Sequence, residues 1–292
     1  MYMKSKIFMA TLLLGSLTSI SLAQEIGTRA ATADMIQSGE LTSSHGNIDT
    51  VGIAKKLSNP IANMISLPLQ YEFSRGVGAN QGGSEQTLLF QPVMPFSLGG
   101  GDSFIVRPII AGVRETNIQG ENGQSFSGYG MGNLTVETFY APNTNSSWIY
   151  GVGPYLSSPA GSGGKFGSQQ TGVGVTGVVL NRQGPWTYGL LGYQSWSVGG
   201  DPTFGTQNNL YLQPFVAYTT KEALTVTANM EALYNYDTRR TSNPLYVGVS
   251  KVAVVGGVPV SFGAGPMYYV SSTPGGPSGW GARATFTVVL SK

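Results

Sequence analysis

The sequence contains no cysteine, only one histidine and few charged residues. The absence of cysteine excludes disulfide bonds, thiolate catalysis and cysteine-ligated metal sites, and a single histidine, His45, excludes a multi-histidine metal centre. Charged residues make up 10% of the 292 residues, whereas an ordinary soluble domain carries roughly 25%. The chain therefore lacks the charged surface of a soluble domain. Because it has no basic run, it also lacks the electrostatic footprint of a nucleic-acid-binding protein.

The first 23 residues have the pattern of a signal peptide that directs export. Lys4 and Lys6 precede an apolar stretch over 7–22, and Ser21-Leu22-Ala23 resembles a small-x-small cleavage site. An uncleaved membrane anchor is the alternative, which the glycine, serine and threonine residues within the stretch disfavour. Removal of the two lysines takes the 16 basic residues to 14, which equals the number of acidic residues. The mature chain is therefore near neutral.

After this segment, apolar and polar residues alternate with a period of two, which is typical of β-strands with one polar face. In the segment 223–236, Leu224 and Val226 lie on one face, and Thr225 and Thr227 lie on the other. About twelve such segments are present, near the roughly 9–11 residues with which a strand crosses a bilayer. The predicted strands span 61–74, 86–97, 103–114, 128–141, 147–157, 171–181, 186–198, 209–220, 223–236, 245–255, 258–270 and 279–290.

The links between these segments alternate in length. The long links lie around 75–85, 115–127, 158–170, 199–208, 237–244 and 271–278, and the short links are 98–102, 142–146, 182–185, 221–222 and 256–257. Outer-membrane barrels have longer extracellular loops and short periplasmic turns, whereas a soluble β-sandwich, the alternative, has no reason to separate its loops in this way. The sequence therefore predicts an all-β fold. It is a closed antiparallel up-and-down transmembrane β-barrel of about twelve strands over residues 57–292.

The four tryptophans support this topology because each lies near a predicted strand end. Trp148 and Trp186 fall at the periplasmic rim, and Trp196 and Trp280 fall at the outer rim. Aromatic belts are expected at the two levels where a membrane meets its headgroups.

A few polar residues within the predicted strands are expected to face the lumen. A charge at the lipid midplane would cost roughly 2–4 kcal/mol, so the side of each strand opposite the apolar face is predicted to be inward. The candidate lumen-lining residues are Glu72, Gln91, Arg107, Glu137, Gln213, Glu231, Lys251 and Arg283. The charges are balanced, and at least one arginine–glutamate pair is expected to form a polar constriction. Two interpretations remain open, namely that these charges hold the barrel together or that they filter a pore.

Several short runs resemble a known family. They are Leu57–Gln70 (LSNPIANMISLPLQ), 91–96 (QPVMPF), 107–110 (RPII), 151–154 (GVGP), 184–189 (GPWTYG), 212–215 (LQPF) and 280–283 (WGAR). The sequence resembles the bacterial outer-membrane barrels labelled "transporter" or "neuromedin U", which are grouped with a phenol meta-pathway degradation family. The resemblance covers nearly everything after Val51. It implies an outer-membrane location, with membrane lipid and the barrel-assembly machinery as partners.

Candidate catalytic groups are few. A phospholipase-type barrel needs a serine activated by a histidine, and His45 lies in a loop-like stretch before the first predicted strand. A purely carboxylate site stays open as an alternative, although Glu72, Glu137 and Glu231 lie on separate strands. The prediction is therefore that the chain is not an enzyme and has no catalytic, cofactor-binding or metal-binding residues.

The functional prediction combines these points. Barrels of about eight strands are filled by side chains and those of 16–18 strands hold water channels, so about twelve strands predict a narrow polar lumen. Passive passage of small molecules is the leading function, and no nucleic-acid partner is expected. A non-conducting structural or surface-interaction barrel is the first alternative, and an outer-membrane enzyme is the second. Residues 24–56 are predicted to form a periplasmic tail or a partial plug.

Overall fold

The computed structural model describes residues 48–120, 122–160 and 166–290. The predicted signal peptide, His45 and most of the segment 24–56 lie outside these residues. The described part begins with helix α1 (Thr50–Leu57), which Asp49 caps by accepting a hydrogen bond from the backbone N–H of Gly52 at 2.8 Å. The helices in the described ranges are α1 and a short 3₁₀ turn after residue 201. Neither of them is long and apolar enough to cross a membrane.

The remainder of the described chain forms one antiparallel sheet. Its strands are β1 (Ile65–Val77), β2 (Gly83–Phe90), β3 (Met94–Gly99), β4 (Asp102–Gln119), β5 (Ser125–Met131), β6 (Leu134–Ala141), β7 (Trp148–Ser158), β8 (Gln169–Gln183), β9 (Trp186–Asp201), β10 (Asn209–Thr219), β11 (Leu224–Met230), β12 (Ala232–Asn235), β13 (Arg240–Val255), β14 (Val258–Ser271) and β15 (Gly279–Leu290).

These strands occupy twelve positions around a closed barrel, because three positions each hold two strands in line. β2 and β3 are separated around Pro92, which has no N–H to donate to the sheet. β5 and β6 are separated at 132–133, and β11 and β12 at Glu231. The first strand pairs with the last, from Ile65 opposite Leu290 onward, and this seam closes the barrel. The predicted twelve-strand antiparallel barrel is confirmed.

All twelve predicted segments coincide with strand positions, but the alternation of link lengths is weaker than predicted. We call the end with the links 100–101, 142–147, 184–185, 220–223 and 256–257 the turn end, and the opposite end the loop end. The turn-end link 142–147 is longer than the loop-end link 78–82. The reason is that several strands extend beyond their predicted ends at the loop end, as β4 does to Gln119. Residues predicted to be in loops therefore belong to the barrel wall.

The outer surface of the barrel is apolar and the inner face is mixed. Large apolar side chains alternate outward along the strands, including exposed Val152, Val249, Phe262 and Trp280. Backbone donors and acceptors are paired around the closed sheet, which is the condition for strands to lie in lipid. This arrangement fits the outer membrane.

Residues 48–64, which we call the N-terminal segment, pack inside the turn end of the barrel. Ile53 and Ala54 of α1 are buried in a cluster with Val252 of β13 and Val289 of β15. Ile61 is buried in a second cluster with other side chains of the wall, namely Val93, Ile105, Phe139, Ala141, Val178, Leu180 and Leu191. Because the two clusters belong to different parts of the wall, the N-terminal segment extends across the lumen.

Candidate functional site

A cavity of about 510 Å³ lies inside the barrel, next to the N-terminal segment. Its lining begins at Ala54 and Leu57 of α1 and continues to Glu231 and Arg283 toward the loop end. Polar and aromatic side chains from many strands therefore converge on one space inside the barrel. We treat this cavity as the candidate functional site.

Arg283 is held by two glutamates from different parts of the wall. The register between β1 and β15 places Glu72 directly opposite Arg283, and the Nε of Arg283 donates to the Oε1 of Glu72 at 2.8 Å. The Nη2 of Arg283 lies 2.7 Å from the Oε1 of Glu72 and 2.7 Å from the Oε1 of Glu231. Glu231 directly follows β11 and points inward together with Thr225, Thr227 and Asn229, which also line the cavity. The predicted arginine–glutamate pairing is confirmed here, with two carboxylates sharing one guanidinium.

Neutral groups complete the surroundings of this ion triad. Gln70 donates to the Oε1 of Glu72 at 2.7 Å, and Gln213 donates to the Oε1 of Glu231 at 3.4 Å. The guanidinium of Arg283 lies 4.7 Å from the ring centroid of Tyr246, within range of a cation–π interaction. Buried charges require such partners, because removing them from water is costly unless hydrogen bonds and opposite charges compensate.

A second ion pair joins neighbouring strands closer to the turn end. Arg107 of β4 is in register with Glu137 of β6, and its Nη1 lies 3.0 Å from the Oε2 of Glu137. Glu137 is almost fully buried. The Nε of Arg107 and the Oδ1 of Asn229 are buried without a hydrogen-bond partner among the described residues. Both residues line the cavity, so the cavity wall contains one uncompensated donor and one uncompensated acceptor.

Three tyrosines form a stacked row on another part of the wall. The ring centroids of Tyr155 and Tyr193 are 4.2 Å apart, and those of Tyr193 and Tyr211 are 5.0 Å apart, with nearly parallel planes. The row crosses β8 where that strand carries Gly174 and Thr176, which are in register with Tyr155 and Tyr193. These small residues leave room for the rings inside the barrel.

The structure brings most of the predicted lumen residues together. Six of them line the cavity, namely Gln91, Arg107, Glu137, Gln213, Glu231 and Arg283. Glu72 lies next to the cavity and forms an ion pair with Arg283. Gln91 lies in the break before β3 rather than within a regular strand.

Lys251 is an exception, because its predicted inward orientation is wrong. It is exposed and shares the outer face of β13 with Val247 and Val249, while its neighbour Val252 points inward and is buried. β13 has apolar residues on both faces, so the sequence alternation did not define its inner side. A lysine near a strand end can extend along the apolar surface and place its ammonium group at the membrane boundary.

Sequence reasoning also missed two glutamates and the tyrosine row. Glu85 of β2 lies opposite Glu115 of β4, on the inner face. Both positions were predicted to be in loops, because the strands extend further than the alternation indicated. The three tyrosines follow the inward period of their strands, which is a signal that could have been found. Among the described residues, no group of three histidine, aspartate or glutamate side chains could hold a metal ion.

Comparison with solved structures identifies similar barrels. An outer membrane channel from Pseudomonas putida F1 superposes with a TM-score of 0.60 at 14% identity, over 78% of this chain and 96% of that protein. The outer membrane phospholipase A from Escherichia coli matches with a TM-score of 0.44 at 12% identity, over 83% of this chain and 98% of that protein. No protein family matches the sequence, and no curated protein does. The first match supports the fold of an outer-membrane barrel.

The second match corrects one sequence-based conclusion. The chain was predicted not to be an enzyme, yet the barrels similar to it include a phospholipase.

Proposed function

We propose that this protein is an outer-membrane channel through which small molecules pass passively along a narrow polar lumen. The observation that supports it most is the polar cavity inside a closed barrel whose outer face is apolar. A cavity in such a position lies on the axis between the two sides of the membrane. The similarity in fold to an outer membrane channel is consistent with the proposal.

The ion triad makes the proposed passage narrow. Arg283 lies on β15, and its two carboxylate partners come from β1 and from the break between β11 and β12. Side chains from separated wall positions thus meet within 2.7 Å and reduce the free cross-section. A barrel of twelve strands is intermediate in size, so the proposal is a small-solute channel rather than a general porin.

The N-terminal segment is the proposed plug of this channel. Of the two sequence-based alternatives for the N-terminal region, tail or plug, the burial of Ile53 and Ile61 against the inner wall favours the plug for residues 48–64. The segment is joined to the wall by side-chain packing and does not form part of the sheet. Displacement of the segment would therefore open the turn end without breaking the barrel.

The proposal includes an outer-membrane location and membership of the outer-membrane transporter family. The pattern of residues 1–23 supports export, and the runs such as Leu57–Gln70 support membership of the outer-membrane transporter family named above. Membrane lipid and the barrel-assembly machinery are then the expected partners, with the turn end on the periplasmic side.

Conductance across a planar bilayer tests the proposal. The purified mature protein should produce small discrete currents in KCl, and liposomes carrying it should admit small solutes but not large oligosaccharides. A barrel that inserts but carries no current would contradict the proposal and favour a non-conducting structural barrel.

The plug can be tested in the same assay with an engineered disulfide. The natural chain has no cysteine, so Ile53→Cys combined with Val252→Cys provides a single designed pair within one packed cluster. Oxidation should lower the current by fixing α1 to the wall, and a reductant should restore it. Each single cysteine variant is the control, and it should not respond to oxidation. Equal currents in the oxidised and reduced double variant would refute the plug.

A further inference from the structure

We infer that the lumen selects small cations over anions, an inference that rests on the proposed channel function. It begins from the charges that the described strands direct inward. Five carboxylates face the interior between the two ends, and only two arginines do so. They are Glu72, Glu85, Glu115, Glu137 and Glu231 against Arg107 and Arg283. The balance expected from the sequence is therefore replaced by an acidic excess, because Lys251 lies outside and two glutamates lie inside.

The two arginines differ in how much of this excess they neutralise. Arg107 is matched by Glu137 alone, so that pair is neutral. Arg283 is shared by Glu72 and Glu231, which leaves one net negative charge in the ion triad. Glu85 and Glu115 face each other in register on the loop-end side of the triad, and such a pair adds less than two full charges because neighbouring carboxylates resist ionising together. A permeant that enters from the loop end therefore meets negative potential before it reaches Arg107.

Exposure strengthens the asymmetry within the triad. The side chain of Arg283 is 4% exposed, whereas those of Glu72 and Glu231 are 16% and 23% exposed. The guanidinium is enclosed by its two carboxylates and by the ring of Tyr246. A solute in the lumen consequently approaches carboxylate oxygens rather than the arginine.

The turn end carries a smaller opposing charge. Lys56 of α1 contributes to the cavity lining there, at the end opposite to the carboxylates of the ion triad. A narrow passage with low-dielectric walls concentrates the field of such charges and raises the local concentration of the opposite ion. Rings of acidic side chains act in this way in cation channels. The chemical class favoured is thus a small inorganic or organic cation.

Reversal potentials in a KCl gradient test the inference. The K⁺ to Cl⁻ permeability ratio of the purified mature protein should lie severalfold above one. Because the Debye length falls from about 10 Å at 0.1 M salt to about 3 Å at 1 M, the ratio should decline as salt rises.

Two charge-removing variants locate the selectivity. At about pH 9, where the facing carboxylates of Glu85 and Glu115 both ionise, Glu85→Gln removes an inward charge that makes no ion pair with an arginine. Glu231→Gln removes the excess charge of the triad while keeping an oxygen for Arg283. Each should lower the ratio toward one. The matched control is Glu222→Gln in the exposed turn 220–223, where a hydrogen bond from the Thr220 side chain lowers the pKa of Glu222 and keeps it ionised. This control should leave the ratio unchanged.

The outcomes separate the inference from the function on which it rests. Absence of current in the wild-type barrel overturns both. Currents with a permeability ratio at or below one overturn the selectivity alone, as does a high ratio that neither inward variant lowers. If Glu231→Gln does not assemble, Glu85→Gln decides, because the side chain at this position does not hold the ion triad together.

Discussion

The two ends of the described lumen are built in opposite ways. At the turn end, apolar side chains of the N-terminal segment pack against the wall, and Ile61 is 3% exposed. Further toward the loop end, Arg283 makes two ion pairs in the interior, and the cavity lies beside them. Apolar packing is non-directional and can be separated and remade, whereas buried charges require fixed partners. The comparison teaches that one region is suited to moving and the other to holding its shape.

Removal of Arg283 should have the largest effect on this comparison. Arg283→Met leaves Glu72 and Glu231 buried together without their shared cation, and breaking a buried ion pair costs about 3–5 kcal/mol. The folded barrel should lose resistance to heat or denaturant, which electrophoretic mobility of the folded form can follow. Arg75→Gln serves as the control because that residue is exposed, and its stability should stay close to the wild type. Unchanged stability of Arg283→Met would mean that the triad does not hold the wall.

A smaller and more local effect is expected at the turn end. Ile61→Ala removes a buried side chain from the apolar cluster, at a cost of about 2–5 kcal/mol. Since the N-terminal segment is not part of the sheet, the loss should appear as easier proteolysis within 48–64 and larger currents, with an intact barrel. Val51→Ala, in the partly buried periphery of the other cluster, should change both measurements less. Loss of the folded barrel in Ile61→Ala would show that the segment is required for the wall itself.

The smallest effect is expected at the tyrosine row. Tyr193→Leu keeps an apolar side chain but removes two stacked contacts, each worth about 0.5–1.5 kcal/mol. Tyr193→Phe keeps both contacts and should be more stable than the leucine variant in the same unfolding assay. Equal stability of the two variants would remove stacking as a contribution.

The sequence predicted the barrel well because lipid imposes a simple rule on it. One face of each strand must be apolar, so the period of two located all twelve wall positions. The alternation rule does not hold where a strand face does not contact lipid. At the loop end the strands continue past the apolar band, and Glu85 and Glu115 were therefore assigned to loops. On β13 both faces are apolar near the turn end, where α1 covers the inner one, and Lys251 was assigned to the wrong side.

The interior was only partly predictable for a different reason. Arg283 and Glu72 are adjacent through the seam, and the closed topology alone brings their strands together. The contact of Arg283 with Glu231 spans two intervening wall positions, and it depends on how far the two side chains extend into the lumen. The period of two gives the direction of each side chain, but it does not give the distance between side chains on strands that are not neighbours. The placement of the N-terminal segment was likewise not predictable, because it depends on which apolar surfaces inside the formed barrel the segment can cover.

The bond between Glu72 and Arg283 also has a consequence for assembly. The two residues are 211 positions apart in the chain, on the first and the last strand. Contacts of such long range form late, because the entropy of closing the intervening chain is lost before the contact compensates for it. In a sheet whose edges have not yet met, Arg283 has Glu231 but lacks Glu72. The hydrogen bond from the Nε of Arg283 to Glu72 is thus made only when the edges meet, and an unclosed intermediate lacks this bond as well as its backbone pairing.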